Sequence, residues 1–211
     1  MKRFFMSAML AAIAIGVFAQ QEIGKWTVTP KVGVNLSKLS GQEVIYEGGN
    51  SQATYKAKYR FGLTAGAEAE YQAWQQVAVS AGVFYSNEGY TYGKLPEVGE
   101  QSETLHFISV PILLNFYIEP NLLPGLALKA GVQLGYLVSA KLHDGNATNT
   151  TTSNYKRVNV SIPAGISYTY KSFTADFRYN IGAANLCNVD EIERSWRTGS
   201  FWLTFGYQFA L

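Results

Sequence analysis

Between Phe201 and Leu211 every second residue is large and apolar. Phe201, Leu203, Phe205, Tyr207, Phe209 and Leu211 share one face, while Trp202, Thr204, Gly206, Gln208 and Ala210 share the other. Alternate side chains of a strand point to opposite sides, so this segment carries one wholly apolar surface and one mixed surface. Such a strand suits lipid on one side and a packed interior on the other. In hydrocarbon an open sheet edge leaves backbone N–H and C=O groups unsatisfied, so a terminal strand of this kind must close against the first strand of its own sheet. The expectation is a membrane β-barrel.

Reading the rest of the chain for alternation yields seven more such segments. The first runs from Trp26 to Leu36, with Trp26, Val28, Val32, Val34 and Leu36 on its apolar face. In the second, Tyr59, Phe61, Leu63, Ala65, Ala67, Ala69 and Tyr71 alternate with Arg60, Gly62, Thr64, Gly66, Glu68 and Glu70. The third carries Val77, Val79, Ala81, Val83 and Tyr85, and the fourth, Leu105 to Ile118, is more continuously apolar. The fifth sets Leu128, Ala130, Val132, Leu134, Tyr136 and Val138 against Lys129, Gly131, Gln133, Gly135, Leu137 and Ser139. The sixth has Val158, Val160, Ile162, Ala164, Ile166 and Tyr168; the seventh has Phe173, Ala175, Phe177, Tyr179 and Ile181. The predicted fold is all-β: a transmembrane, eight-stranded, antiparallel up-and-down barrel.

Connection lengths alternate as well. Ser37–Lys58, Ser86–Thr104, Ala140–Asn154 and Gly182–Thr198 are long, whereas Gln72–Gln76, Glu119–Gly125 and Lys171–Ser172 are short. Short periplasmic turns with longer extracellular loops are the pattern of outer-membrane barrels. Aromatic residues fall near both ends of the segments: Trp26, Tyr71, Trp74, Tyr117, Tyr168, Tyr170 and Tyr207 at one, Tyr59, Tyr85, Tyr90, Tyr92, Tyr155, Trp196 and Trp202 at the other. They read as two interfacial girdles. A soluble barrel or sandwich also alternates. Against it stand the small residues on the polar face (Gly33, Gly62, Gly66, Gly82, Gly131, Gly135, Gly165), which suit a crowded interior better than an exposed surface. Pro30, Pro111 and Pro163 fall inside strands, where each removes a ladder hydrogen bond, and they predict bulges or local breaks.

The N-terminal segment supports an exported destination. Met1-Lys2-Arg3 is basic, Phe4 to Phe18 is mostly apolar, and Val17 and Ala19 place small residues before a cut ahead of Gln20. Residues 1–19 are therefore expected to be a signal peptide and 20–211 the barrel domain. Without Lys2 and Arg3 the 17 basic residues fall to 15, matching the 15 acidic ones, so there is no global field to attract nucleic acid. Charged residues are 15% of the chain, against about 25% in a soluble domain. The one cysteine, Cys187, has no partner for an intramolecular disulfide.

Five short segments, spread in order over nearly all of the remaining chain, carry a family resemblance. They are Val32-Gly33-Val34-Asn35-Leu36-Ser37, Phe84-Tyr85-Ser86-Asn87-Glu88-Gly89, Ile108-Ser109-Val110-Pro111-Ile112-Leu113-Leu114, Arg178-Tyr179-Asn180-Ile181-Gly182 and Phe205-Gly206-Tyr207-Gln208-Phe209. Together they resemble the PorT-type outer-membrane β-barrel family of Gram-negative envelopes. The resemblance implies an eight-stranded barrel in the outer membrane; the founding member's association with protein secretion rests on no motif visible here.

An eight-stranded barrel is just wide enough for its own side chains, which argues against a wide channel. The inward register holds Lys31, Arg60, Lys129 and Arg178 against Glu68, Glu70 and Asp176, a near balance that predicts an internal network of ion pairs. A gated or proton-conducting path is the functional alternative for the same residues. Acyl transfer at the outer leaflet, as in lipid A deacylases and palmitoyltransferases, would need a base-activated nucleophile. The two histidines are His106, near Ser102, Glu103 and Ser109, and His143, beside Asp144; neither sits in a pattern of those enzymes. Asp144-Gly145-Asn146 and Asp190-Glu191-Ile192-Glu193 lack the spacing of a calcium loop. Asn146-Ala147-Thr148 and Asn149-Thr150-Thr151 match a glycosylation sequon that carries little weight in a bacterial envelope. The expectation is a non-enzymatic envelope protein, structural, adhesive or assembly-related, acting through long loops and holding no cofactor or metal. The expected partners are outer-membrane lipids, the barrel-assembly machinery at the C-terminal strand, and a protein at the loops. An accessory role in secretion or transport is the first alternative and lipid A modification the second.

Overall fold

Apolar and polar residues alternate along eight long strands, and the backbone has turned that alternation into an outside and an inside. The strands are β1 (Trp26–Ser40), β2 (Lys58–Gln72), β3 (Val77–Leu95), β4 (Gly99–Tyr117), β5 (Leu126–Asp144), β6 (Val158–Tyr170), β7 (Phe173–Gly182) and β8 (Arg197–Tyr207). The computed structural model describes residues 22–41, 43–48, 51–95, 99–119, 122–144, 147–188 and 196–211. The expected signal peptide, Met1 to Ala19, lies outside these residues.

Each strand pairs antiparallel with its sequence neighbours, and β8 returns to β1 from Lys31↔Gly206 to Ser40↔Arg197. The result is a closed eight-stranded antiparallel barrel. Phe209–Ala210 prolongs the seam, pairing with Val28 and Thr27. Val32, Leu63, Val83, Leu114, Leu134, Val158, Phe173 and Phe205 all point outward and are exposed, Val32 to 64%. Thr29, Lys31, Asn35, Glu68, Asn115, Gln133, Asp176, Arg178 and Thr204 are buried on the other face. A barrel with its oily side out and its polar side in is stable only in lipid.

The prolines act more simply than expected. None shifts a register. Pro30 interrupts the β1–β8 seam between Val28 and Lys31, while its pairing with Ala67 of β2 is unbroken. Pro111 interrupts β3–β4 between Ala81 and Phe84 but keeps Gln133 of β5 opposite. Pro163 interrupts β5–β6 but keeps Asn180 of β7. A strand inside a sheet has two ladders, and a missing N–H weakens one of them. The register shifts lie elsewhere, at Tyr59/Thr64, Thr91/Gly93 and His106/Phe107.

Three of the long connections are mostly strand. β3, β4 and β5 are each 19 residues long, whereas about 9–11 tilted residues cross a membrane. Their pairing runs on to Leu95↔Gly99 and Gln101↔Asp144, and β5 then turns back on Ala147–Thr150. Glu43–Gly48 and Ser51–Lys56 form a further hairpin between β1 and β2. A backbone leaving the membrane keeps its hydrogen bonds by extending the ladders it already has.

The aromatic girdles need a correction. Trp26, Tyr71, Trp74, Tyr207, Tyr59 and Tyr85 face outward, but Tyr117 and Trp202 point into the barrel and are buried. Tyr90, Tyr92, Tyr155 and Trp196 are buried too, in a cluster at the outer end with Leu39, Leu105, Phe107, Leu137 and Leu186. Their sequence position near a strand end was right; their face was decided by register and by what else fills the mouth.

Inside, glycine sets how closely strands approach. A Cβ on Gly165 would lie 2.2 Å from the Phe177 carbonyl oxygen and 2.7 Å from Arg178 Cα. Gly165→Ala is expected to lower the yield of folded barrel, whereas Gly135→Ala, whose new Cβ would meet nothing nearer than Ser109 Oγ at 3.3 Å, should be accommodated by a small shift of that side chain. Comparing the fraction that migrates as the compact, faster band before boiling tests this, and equal fractions would refute it. Protease on intact cells should cut only within the four long connections and spare Glu119–Gly125. Cleavage at that turn would show the orientation to be reversed.

Candidate functional site

The inward face of four strands gathers the charges into one layer. Lys31 of β1 donates to Glu68 Oε1 of β2 at 2.9 Å and to Asp176 Oδ2 of β7 at 3.2 Å. Lys129 of β5 reaches the same two oxygens at 2.5 and 3.3 Å. Arg178 Nε donates to Asp176 Oδ1 at 3.0 Å, and its Nη2 lies 3.5 Å from Glu68 Oε2. All five side chains are almost completely buried. Each carboxylate thus bridges cations from opposite walls, tying β1, β2, β5 and β7 together across the lumen.

Glu70 forms the next layer. It accepts from Asn115 Nδ2 at 2.5 Å and from the Tyr117 hydroxyl, and Asn115 also donates to Ser80 Oγ at 3.0 Å. Counting Glu70, these two layers set three buried carboxylates against three buried cations. Arg60 is not part of them. It sits half-buried at the outer end of β2, opposite Ser37, and its Nη1 has no hydrogen-bond partner among the described residues.

Above the charged layer the interior turns aromatic. The Arg178 guanidinium carbon lies 5.2 Å from the Phe84 ring centroid and 5.4 Å from that of Trp202. Two ring faces over a desolvated cation contribute up to roughly 2 kcal/mol each. Trp202 is fully buried and its indole N–H donates to Glu88 Oε1 at 3.2 Å. Ser200 and Ser86 donate to the same oxygen at 3.3 and 3.4 Å. Glu88 is a buried carboxylate held by neutral donors alone, and Trp202 links it to the cation–π pair below.

The outer mouth is closed by the aromatic and aliphatic cluster around Leu39 and Trp196. Glu103 lies within it, accepting from the Tyr90 hydroxyl and from Thr151 Oγ1. The Tyr90 and Tyr155 hydroxyls meet at 3.0 Å, and burial holds the Tyr155 phenol well above its ordinary pKa, so it stays neutral. Cys187 is buried there, its backbone bridged to Tyr155.

The candidate hydrolytic group does not assemble. His106 is on the outer face of β4, stacked at 6.0 Å on Tyr85, whose hydroxyl meets its Nδ1 at 2.6 Å. Glu103 and Ser109 are buried on the opposite face of the same strand, where their carboxylate and hydroxyl cannot reach the imidazole. His143 Nδ1 meets Thr148 Oγ1 at 3.0 Å. Among the described residues no three His, Cys, Asp or Glu side chains gather to hold a metal ion. Asp190, Glu191, Glu193 and Asn146 lie outside the described residues, as does the side chain of Asp144.

Sequence reasoning missed the neutral members of this interior: Asn115, Tyr117 and Ser80 around Glu70, and Phe84 with Trp202 over Arg178. The signal for Trp202 was present, since it stands on the small and polar register of β8.

The family described as outer membrane protein beta-barrel domain matches residues 18–188 of the sequence. No curated protein matches the sequence significantly. Among solved structures, Neisserial surface protein A superposes with a TM-score of 0.51 at 14% identity, over 87% of this chain and 97% of that one. OprG of Pseudomonas aeruginosa superposes with a TM-score of 0.50 at 11% identity, over 92% and 99%. The attachment invasion locus protein Ail of Yersinia pestis gives 0.45 at 17% identity, over 89% and 100%. At these identities the likeness is one of fold.

Removing one partner of a buried ion pair costs roughly 3–5 kcal/mol, because the other charge is left without compensation. Arg178→Ala should therefore lower the urea midpoint of folded protein in detergent much more than Thr174→Ala, which removes an inward hydroxyl bonded to the Thr169 hydroxyl. Equal, small shifts would show a hydrated interior with no pairing of consequence.

Proposed function

We propose, on the premise that this chain belongs to the outer membrane protein beta-barrel domain family and resides in the outer membrane, that it is a non-catalytic envelope protein acting through its outer end. One observation carries the reading. The barrel interior is occupied by paired charges and aromatic rings, while β3, β4 and β5 project well beyond the lipid-facing band as a continuous sheet. At about 3.3 Å per residue, the extra residues reach on the order of 25–30 Å along the strands.

A surface built this way is suited to structural, adhesive or assembly contacts. Its backbone is already hydrogen-bonded, so a partner meets an ordered wall and less entropy is lost on binding. The interior charges serve the same end: they act as a polar core that keeps eight strands in one arrangement, and are not read as a conducting path. Within the family the five segments from Val32 to Phe209 favour a PorT-type branch. Removal of Met1 to Ala19 as a signal peptide and delivery of the terminal β8 strand to the barrel-assembly machinery complete the proposed route.

The test is a deletion strain complemented with a chain whose β3–β4 extension, residues 89–101, is replaced by a four-residue turn. The expected outcome is a barrel that still folds, shown by its faster unheated band, but fails to restore envelope integrity or surface attachment. Protein secretion and lipid A acylation should be unchanged in the deletion strain. A selective secretion defect would replace this reading with an accessory role in transport, and altered lipid A acylation would replace it with an enzymatic one.

A further inference from the structure

On the outside of the barrel, where β5 and β6 leave the lipid-facing band, a cleft of about 420 Å³ opens between Thr152, Ser153, Tyr155, Lys156, Arg157, Val158 and Asn188. We propose that this cleft binds the phosphate of an outer-leaflet lipid, with the acyl chains lying below it on the apolar faces of β5 and β6.

Its height is fixed by register. Val158 and Tyr136 are paired, both are more than half exposed, and they stand near the upper end of the outward rows that continue down through Leu134 and Ile162, with exposed Val138 one step above Tyr136. Lys156 and Arg157 immediately precede Val158, so two cations sit where hydrocarbon gives way to head groups. None of the described residues lining the cleft is acidic. A third cation, exposed Lys141, lies further out on the adjoining strand.

Arg157 is held in place rather than loosely solvated. Its Nη1 donates to the carbonyl oxygens of Leu137 and Val138, both at 3.1 Å. Those two carbonyls become available because the β4–β5 ladder skips Val138: His106 pairs with Ser139 and Phe107 with Leu137. The bulge thus turns consecutive acceptors toward one guanidinium nitrogen. The rest of the guanidinium keeps the forked donor geometry that suits phosphate oxygens. The opposite wall is fixed as well, since Asn188 donates from Nδ2 to the Ser153 carbonyl at 3.0 Å and from its backbone to the Asn154 carbonyl at 3.1 Å. A lipid phosphate matches both halves of the site, the cationic pocket and the apolar wall beneath it; free phosphate would match the pocket alone.

The test uses the full barrel in phosphatidylcholine nanodiscs, with bound lipid A counted by native mass spectrometry. The wild type should bind lipid A, and Lys156→Gln/Arg157→Gln should bind it at least about tenfold more weakly. Lys171→Gln, at the opposite end of β6, should bind as the wild type does. Lys156→Gln alone removes an exposed side chain that makes no anchoring bond among the described residues, and should weaken binding without any change in the compact gel band, so the question stays open to test if the double variant misfolds. Unchanged lipid A binding in folded Lys156→Gln and in the double variant would overturn the proposal. Displacement of lipid A by inorganic phosphate at concentrations comparable to the lipid would overturn the lipid assignment, by showing that the phosphate group alone accounts for binding.

Discussion

The pairing of β8 with β1 is the interaction on which everything else in this structure rests. Without it, the outermost strands would present unpaired N–H and C=O groups to hydrocarbon, each costing several kcal/mol. Closure imposes the alternation that runs along the lipid-facing part of the strands, because each residue there must face either lipid or lumen. It also explains why three prolines are tolerated. Each interrupts one ladder for a short distance while the other ladder and the ring as a whole hold the register.

Closure also creates a problem that the interior solves. A ring of eight strands encloses a narrow space, and the polar side chains directed into it lose bulk water. Glu68 and Asp176 meet Lys31, Lys129 and Arg178 from opposite walls, so every charge in that layer has a counter-charge within 3.5 Å. Phe84 and Trp202 cover the guanidinium that the carboxylates leave partly bare. Higher up, Glu88 and Glu103 rely on neutral donors, and the Tyr90–Tyr155–Trp196 cluster closes the mouth. Charge, aromatic and apolar layers stacked in this way stiffen the wall from inside, and support a reading in which the activity lies at the outer end.

That outer end is irregular where the proposed contacts lie. The bulge at Val138 aims two carbonyls at Arg157, and the neighbouring 3-10 turn at Thr152–Asn154 brings Asn188 against Ser153. Meanwhile β3, β4 and β5 run on as paired strands to Leu95↔Gly99 and Gln101↔Asp144. The molecule therefore offers two kinds of surface above the membrane: a long ordered sheet suited to a protein, and a cationic cleft at head-group height suited to lipid.

Alternation alone determined the class of fold, the number of strands crossing the membrane and the inward face of Lys31, Glu68, Glu70, Lys129, Asp176 and Arg178, because a period of two has only two possible phases and lipid accepts just one of them. Which charges meet was beyond reach. Lys31 and Asp176 are 145 residues apart, and their 3.2 Å contact depends on barrel diameter and strand stagger, properties of the closed ring and not of any segment. Arg60 has the inward parity of the network but stands too near the outer end to join it, a matter of height along the axis that alternation does not encode. Three of the long connections looked like loops because their sequences lose the lipid-facing pattern; they are mostly strand because neighbouring ladders continue above the membrane. Trp202 and Leu137 sat on the polar register in plain view, while Tyr117 stood in the continuously apolar fourth segment. Only the assembled interior, where Glu70 needs a phenol, Arg178 a ring face and the mouth an apolar stopper, shows why they are there.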